Sequence, residues 1–168
     1  MRNALPWITA ALVVILDRVT KLLVLDHLAV GSWTPVFPGL ALTHVHNSGI
    51  AFSLFSDGSW LSRVLLHAVI LTAVVLIAWM ARRHGHHHLL AGFAFGLILG
   101  GAVGNLIDRV LYGWVVDFVH LWARIADRSW SWPDFNVADA AITVGAILLI
   151  LNELLAGRGE PSHAPDPR

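Results

Sequence analysis

The sequence predicts an all-α membrane protein: a four-helix transmembrane bundle with a small extracytoplasmic β element. Three observations carry this. Of the 168 residues, 57% are hydrophobic and 13% charged, where a soluble domain carries about a quarter charged. The apolar residues fall in four runs, 4–25, 60–80, 89–108 and 136–155, each near the roughly 20 residues that cross a hydrocarbon core. Between the first two runs, Gly31, Pro35, Pro38 and Gly39 interrupt any helix, and β-branched and aromatic residues flank them.

The first run ends in Asp17-Arg18-Val19-Thr20-Lys21 and resumes with LLVL. A cleaved leader would end in small residues, so this is read as a retained helix, entered by Pro6. Asp17 and Lys21 are four apart and share a helix face. Two readings fit them: an internal ion pair that lowers the cost of insertion, and a device that positions a site.

The outer segment 26–59 holds no Lys or Arg. Val36-Phe37 before Pro38-Gly39, and LALTHV after, predict a short hairpin. His44 and His46 share a face if this is a strand; two histidines alone are a weak metal signal. Asn47-Ser48-Gly49 has the composition of a turn. The second helix carries Arg63 near its start, and the loop 81–88 opens with Arg82 and Arg83 before a histidine cluster.

In the third helix Gly92, Gly96, Gly100 and Gly104 recur every four residues. They form a ridge along which a neighbouring helix can approach closely. One further turn brings Asp108 onto the same line, with Asn105 three residues before it. Arg109 falls at the helix C-terminus, where a cation suits the macrodipole, and an end-of-helix Asp108–Arg109 charge pair is the bland reading. The outer segment 110–135 is read as a loop; its tryptophans are typical of a membrane–water interface. Within it Asp117 stands in an apolar run, WVVDFVHLW. Asn136 and Asp139 open the fourth helix with the spacing of a capping box. The tail 157–168 is polar and proline-rich. The whole chain is read as one integral membrane domain.

Arg2, Arg82, Arg83, Arg158 and Arg168 flank one side of this arrangement. The positive-inside rule then puts both termini in the cytoplasm and Asn47, Asp117 and Asp139 at the outer face. Basic and acidic residues balance at eleven each, so net charge implies no nucleic-acid partner. The absence of cysteine excludes disulfides, thiolate nucleophiles and Cys-based metal sites.

Charged groups inside membrane segments are costly and mark function or pairing. Two carboxyls in a dry site share a proton, because like charges a few ångströms apart resist joint ionisation. Such a pair can activate water against a peptide carbonyl and then protonate the leaving amine. Asp117 and Asp139 are candidates, although spacing alone does not bring them together.

Five short blocks in order sharpen this. DRVTK (17–21), NSGIAF (47–52), GGAVGNLIDR (100–109), VVDF (115–118) and FNVADAAI (135–142) make the chain resemble the bacterial type II signal peptidases, the lipoprotein signal peptidase family, from Asp17 to Gly145. The resemblance implies an aspartic endopeptidase of the inner membrane. It would remove the signal peptide from diacylglyceryl-modified prolipoproteins just before the lipidated cysteine, and it needs no metal or other cofactor. Membrane lipid and the lipid-modified precursor are the implied partners. By matching position the catalytic pair falls on Asp117 and Asp139. Asp17, Lys21, Asn47, Gly49, Asn105, Asp108, Arg109 and Asn136 match residues that shape or line the site. A small β element and a mobile helix outside the membrane are also implied, both drawn from 26–59. Two departures stand out. Arg18 replaces the family's glutamine, and the link from Asp117 to Asp139 is longer, with Asp127 and Asp134 in it read as surface residues. A proton-coupled transporter, a scaffold built on the glycine ridge, and a Ser–Lys peptidase using Lys21 are the competing readings.

Overall fold

The first helix, α1 (Leu5–His27), inverts the usual amphipathic pattern. Its inward face is Pro6, Thr9, Ala10, Val13, Asp17, Lys21 and Val24, all buried. Its outward face is Ile8, Leu12, Ile15, Leu16, Val19, Leu22 and Leu23, all exposed. Apolar side chains that face outward while charges turn inward suit a lipid surround, not water. In the computed structural model, which describes residues 2–49, 59–85, 88–125 and 127–156, a hairpin follows: β1 (Trp33–Phe37) and β2 (Leu40–Asn47). Gly39, at φ 94°, makes its turn, a conformation open to glycine at little cost. Three helices complete the bundle: α2 (Trp60–His84), α3 (Leu89–Tyr112) and α4 (Val137–Ala156). These three are long and apolar enough to cross a membrane. The region of the implied mobile helix falls largely on residues 50–58, outside the described residues.

Segment 110–135 is not a loop. It forms β3 (Val115–Ile125) and β4 (Arg128–Ser131), completing an antiparallel sheet in the order β1-β2-β3-β4. The β-branched and aromatic run VVDFVHLW carried that signal. The third helix also runs past 108: it ends at Tyr112, where Gly113 at φ 84° closes it as a left-handed cap.

Helix α3 is the centre of the bundle and packs against α1, α2 and α4. The glycine ridge is its contact with α1. A β-carbon on Gly96 would stand 2.5 Å from Thr9, and one on Gly100 would stand 2.7 Å from the Ala10 carbonyl and from Val13. On a different face Gly101 meets the Ala138 backbone, and Gly145 of α4 reciprocates, 2.8 Å from the Ala94 carbonyl. Helices α1 and α4 are thus drawn to backbone contact with α3, and the polar residues of the three meet at one end. There a second cluster of Val24, Val116 and Phe118 joins the end of α1 to the sheet.

Candidate active site

Four buried polar side chains form the base of the site. Lys21 Nζ lies 2.8 Å from Asp17 Oδ2, 2.9 Å from Asp108 Oδ2 and 2.9 Å from Asn105 Oδ1. Lys21 and Asp108 are fully buried and Asp17 nearly so. A lysine withdrawn from water needs this company, because an unpaired buried charge costs several kcal/mol. Asp17 reaches further: its Oδ1 accepts the Ala138 backbone N–H at 3.0 Å, so a carboxylate of α1 meets the positive end of α4. The ion pair expected of Asp17 and Lys21 is present, and through Asn105 and the Ala138 N–H it also reaches α3 and α4.

Asp108 and Arg109 do not form an end-of-helix pair. Asp108 takes Lys21 on one side and Arg18 on the other, at 3.2 Å, and its Oδ2 accepts the Val116 N–H at 3.2 Å. That bond pins the start of β3, one residue before Asp117. Arg109 points elsewhere, donating to the Gly49 carbonyl at 2.8 Å and to the Asn105 carbonyl at 3.3 Å. Successive residues on a helix diverge by about 100°, which is why sequence neighbours go to separate partners. Arg18 also donates to Tyr112 Oη at 2.5 Å.

Above this base stand the two candidate carboxylates. Asn136 Nδ2 donates to Asp117 Oδ1 at 2.7 Å, and its backbone N–H donates to Asp139 Oδ2 at 3.2 Å. The Asp139 N–H returns a 3.0 Å bond to Asn136 Oδ1, so the capping box exists. It is not the whole role of Asp139, whose Oδ1 accepts from Asn105 Nδ2 at 2.8 Å. Asn47 Nδ2 reaches Asp117 Oδ2 at 3.0 Å, and Asn47 Oδ1 receives the Gly49 N–H at 3.1 Å. All ten candidate residues therefore fall in one contiguous network, drawn from α1, the β2 end, α3, β3 and the start of α4. Burial pushes the Asp117 carboxyl up to about 7; the Asn47 bond opposes this and the Asp139 charge adds to it.

A cavity of about 400 Å³ opens beside Asp117, lined among others by His46, Asn47, Ser48, Pro133 and Asp134. Two of these were not expected there. Asp134 is no free surface residue: its Oδ1 accepts from Thr43 Oγ1 at 3.0 Å and contacts His120 Nδ1 at 2.8 Å. Asp127 is exposed. His46 does share a face with His44, their Nε2 atoms 3.2 Å apart, and it stacks on Trp114. Burial, then His44, lower its pKa. Strand register brings these groups together, and no local motif marks them.

A bundle of apolar helices that gathers buried charges at one end, around two hydrogen-bonded carboxylates of which Asp117 lines a cavity, has the features of a membrane enzyme. A sequence model of the family described as "Signal peptidase (SPase) II" matches residues 9–155. The curated lipoprotein signal peptidase of Burkholderia mallei (strain SAVP1) is 43% identical over 155 residues, 92% of this chain and 90% of the relative. That of Paraburkholderia phymatum has the same identity and coverage. A solved structure titled as a bacterial membrane enzyme by the in meso method superposes with a TM-score of 0.80 at 28% identity, covering 96% of this chain and 94% of its own. The chain belongs to the signal peptidase II family, the bacterial inner-membrane peptidases that remove the signal peptide from prolipoproteins.

Proposed function

We propose that Asp117 and Asp139 are the catalytic pair of an aspartic endopeptidase that cuts diacylglyceryl-modified prolipoproteins just before the lipidated cysteine. The observation that carries this is Asn136. One residue hydrogen-bonds both carboxylates, and a carboxyl held near pKa 7 faces a cavity beside its partner. Asp117 then holds a proton up to about pH 7. Asp139 sits at the start of α4, where its two oxygens accept from the Asn105 side-chain amide and the Asn136 backbone N–H. Asp139 takes a proton from water as the water oxygen attacks the scissile carbonyl carbon. Asp117 gives its proton to the departing amine nitrogen as the C–N bond breaks. Lys21, Asn105 and Asp108 hold the partners of the pair in place, and Arg109 anchors Gly49 beside the cavity.

In this reading α1 is a fourth membrane pass despite its charges, because they are turned inward and paired. Both termini are cytoplasmic, and the cavity opens at the outer face. The buried acyl chains of the substrate would hold the scissile bond at that interface, each CH₂ contributing about 0.8 kcal/mol. The competing readings lose their footing. Lys21 is fully engaged by two carboxylates and an amide, with no serine against it among the described residues. The buried acids cluster at one end of the bundle, so they form no relay across it. The test is cleavage by purified protein of a lipidated prolipoprotein and of its unlipidated precursor, alongside Asp139→Asn. Only the lipidated form should yield the shorter product, and the variant should yield none. Equal cleavage of both forms would remove the lipid requirement, and an active Asp139→Asn would remove the aspartic mechanism.

A further inference from the structure

Asp134 is a carboxylate that the reaction does not need. It lines the same cavity as Asp117. It is held from two strands, by Thr43 of β2 and His120 of β3, and about a fifth of its side chain stays exposed. Both bonds fall on Oδ1, and Oδ2 has no hydrogen-bond partner among the described residues. A carboxylate needed only to join β2 to β3 would be spent on that contact. This one is rigid and leaves an oxygen over.

The charge balance of the cavity sharpens the point. Among the described residues its lining holds two carboxylates, Asp117 and Asp134, and no lysine or arginine. The buried cation Arg109 spends its Nη groups on the Gly49 and Asn105 carbonyls. A cleft with one sign of charge discriminates between peptides more by rejecting like charge than by rewarding opposite charge.

We propose that Asp134 is a specificity residue, and that its free carboxylate oxygen reads the charge of the substrate residues flanking the scissile bond, favouring basic side chains and excluding acidic ones. This rests on the reading of the Asp117–Asp139 site given above. The substrate class is thereby narrowed to precursors without acidic residues at the positions that cross the cavity.

The experiment uses lipidated peptides with Lys, Ser or Glu at each position flanking the cleavage point, assayed with the purified full-length protein at about pH 8, where an ordinary imidazole is neutral. The ratio of kcat/KM between two peptides in one preparation cancels any loss of folded protein. At one flanking position or more, the parent should favour Lys over Glu by about ten-fold, the effect of one close charge near a protein surface. High salt should shrink the ratio. Asp134→Asn, which retains an acceptor for Thr43, should lower it several-fold, to what the Asp117 charge in the same cavity leaves; Asp134→Lys should lower it further, and Asp134→Glu should keep it. A parent with no charge preference, or a preference unchanged in Asp134→Asn, overturns the proposal while the catalytic reading stands. Cleavage by Asp139→Asn at the parent's rate, run in parallel, overturns the catalytic reading and this proposal with it.

Discussion

At Asp117 the balance between burial and hydrogen bonding decides the chemistry. Two asparagines donate to its oxygens, yet burial dominates and carries the carboxyl up from 3.8 to about 7. Two predictions follow from that sign. If the singly protonated pair is the active form, kcat/KM falls as pH rises through about 7, and a pH–rate profile reads this directly. The stability term runs the same way. Below about pH 4 Asp117 is protonated in both folded and unfolded chains. Between about 4 and 7 only the folded chain keeps the proton, so the contribution is lost as pH rises through 7. Asp117→Asn removes this dependence. The variant's unfolding stability relative to the parent should improve by up to about 4 kcal/mol from pH 4 to pH 8, whatever its offset from one mispaired amide donor. Its turnover should vanish throughout, and Asp117→Asn/Asp139→Asn should be scarcely worse than either alone. Lys21→Ala is the opposite kind of change. It strands Asp17 and Asp108 without their shared cation and should cost about 3–5 kcal/mol, measured as thermal or denaturant unfolding in detergent.

The elements are held at the spacing the site needs by α3. Its two glycine faces take α1 and α4 at backbone contact, and the polar residues of all three helices then meet one turn further along. A methyl group on Gly100 would have to enter space held by Ala10 and Val13. Gly100→Ala should therefore destabilise by about 1–3 kcal/mol and lower activity, because α1 carries Asp17 and Lys21 away from Asn105. Val110→Ala, on the exposed side of the same helix, should change both little. If Gly100→Ala is as stable and active as the parent, the ridge is not the contact that sets the site. The sheet adds a second constraint. The Asp108–Val116 bond couples α3 to the start of β3, and the pairing of β2 with β3 places Asn47 near Asp117.

For the whole molecule the prediction is one of orientation, with both termini inside and the site at the outer face. The chain lacks cysteine, so introduced cysteines report without background. In intact cells a cysteine at Ser131, exposed on β4, should react with an impermeant maleimide only after the outer membrane is opened. One at Arg82, at the other end of α2, should react only after the inner membrane is disrupted. The reverse pattern would turn the site to the cytoplasm and remove the proposed route of lipidated substrate from the outer leaflet.

Composition and periodicity are local properties, and they carried much of this protein. The apolar runs, the glycine ridge every four residues, the hairpin at Pro38-Gly39 and the five motif blocks are each legible within a few turns of chain. Local reading had a limit even for secondary structure: the tryptophans of 110–135 suggested an interfacial loop, although its β-branched run forms a strand. What sequence alone could not decide is which polar groups face one another. Thr43 and Asp134 are 91 residues apart, and Asp17 meets Ala138 across 121. Such pairs depend on helix rotation and strand register together. The capping box at Asn136 and Asp139 was visible as spacing, but only tertiary structure adds that Asn136 also holds Asp117 and that Asn105 takes the other oxygen of Asp139. Asp108 was on the predicted line, yet its partners are Lys21 and Arg18 instead of Arg109, since a helix turns consecutive residues apart. Asp134 was beyond reach for the same reason: a carboxylate between a proline and a phenylalanine carries no local sign of a site until two strands and a cavity close around it.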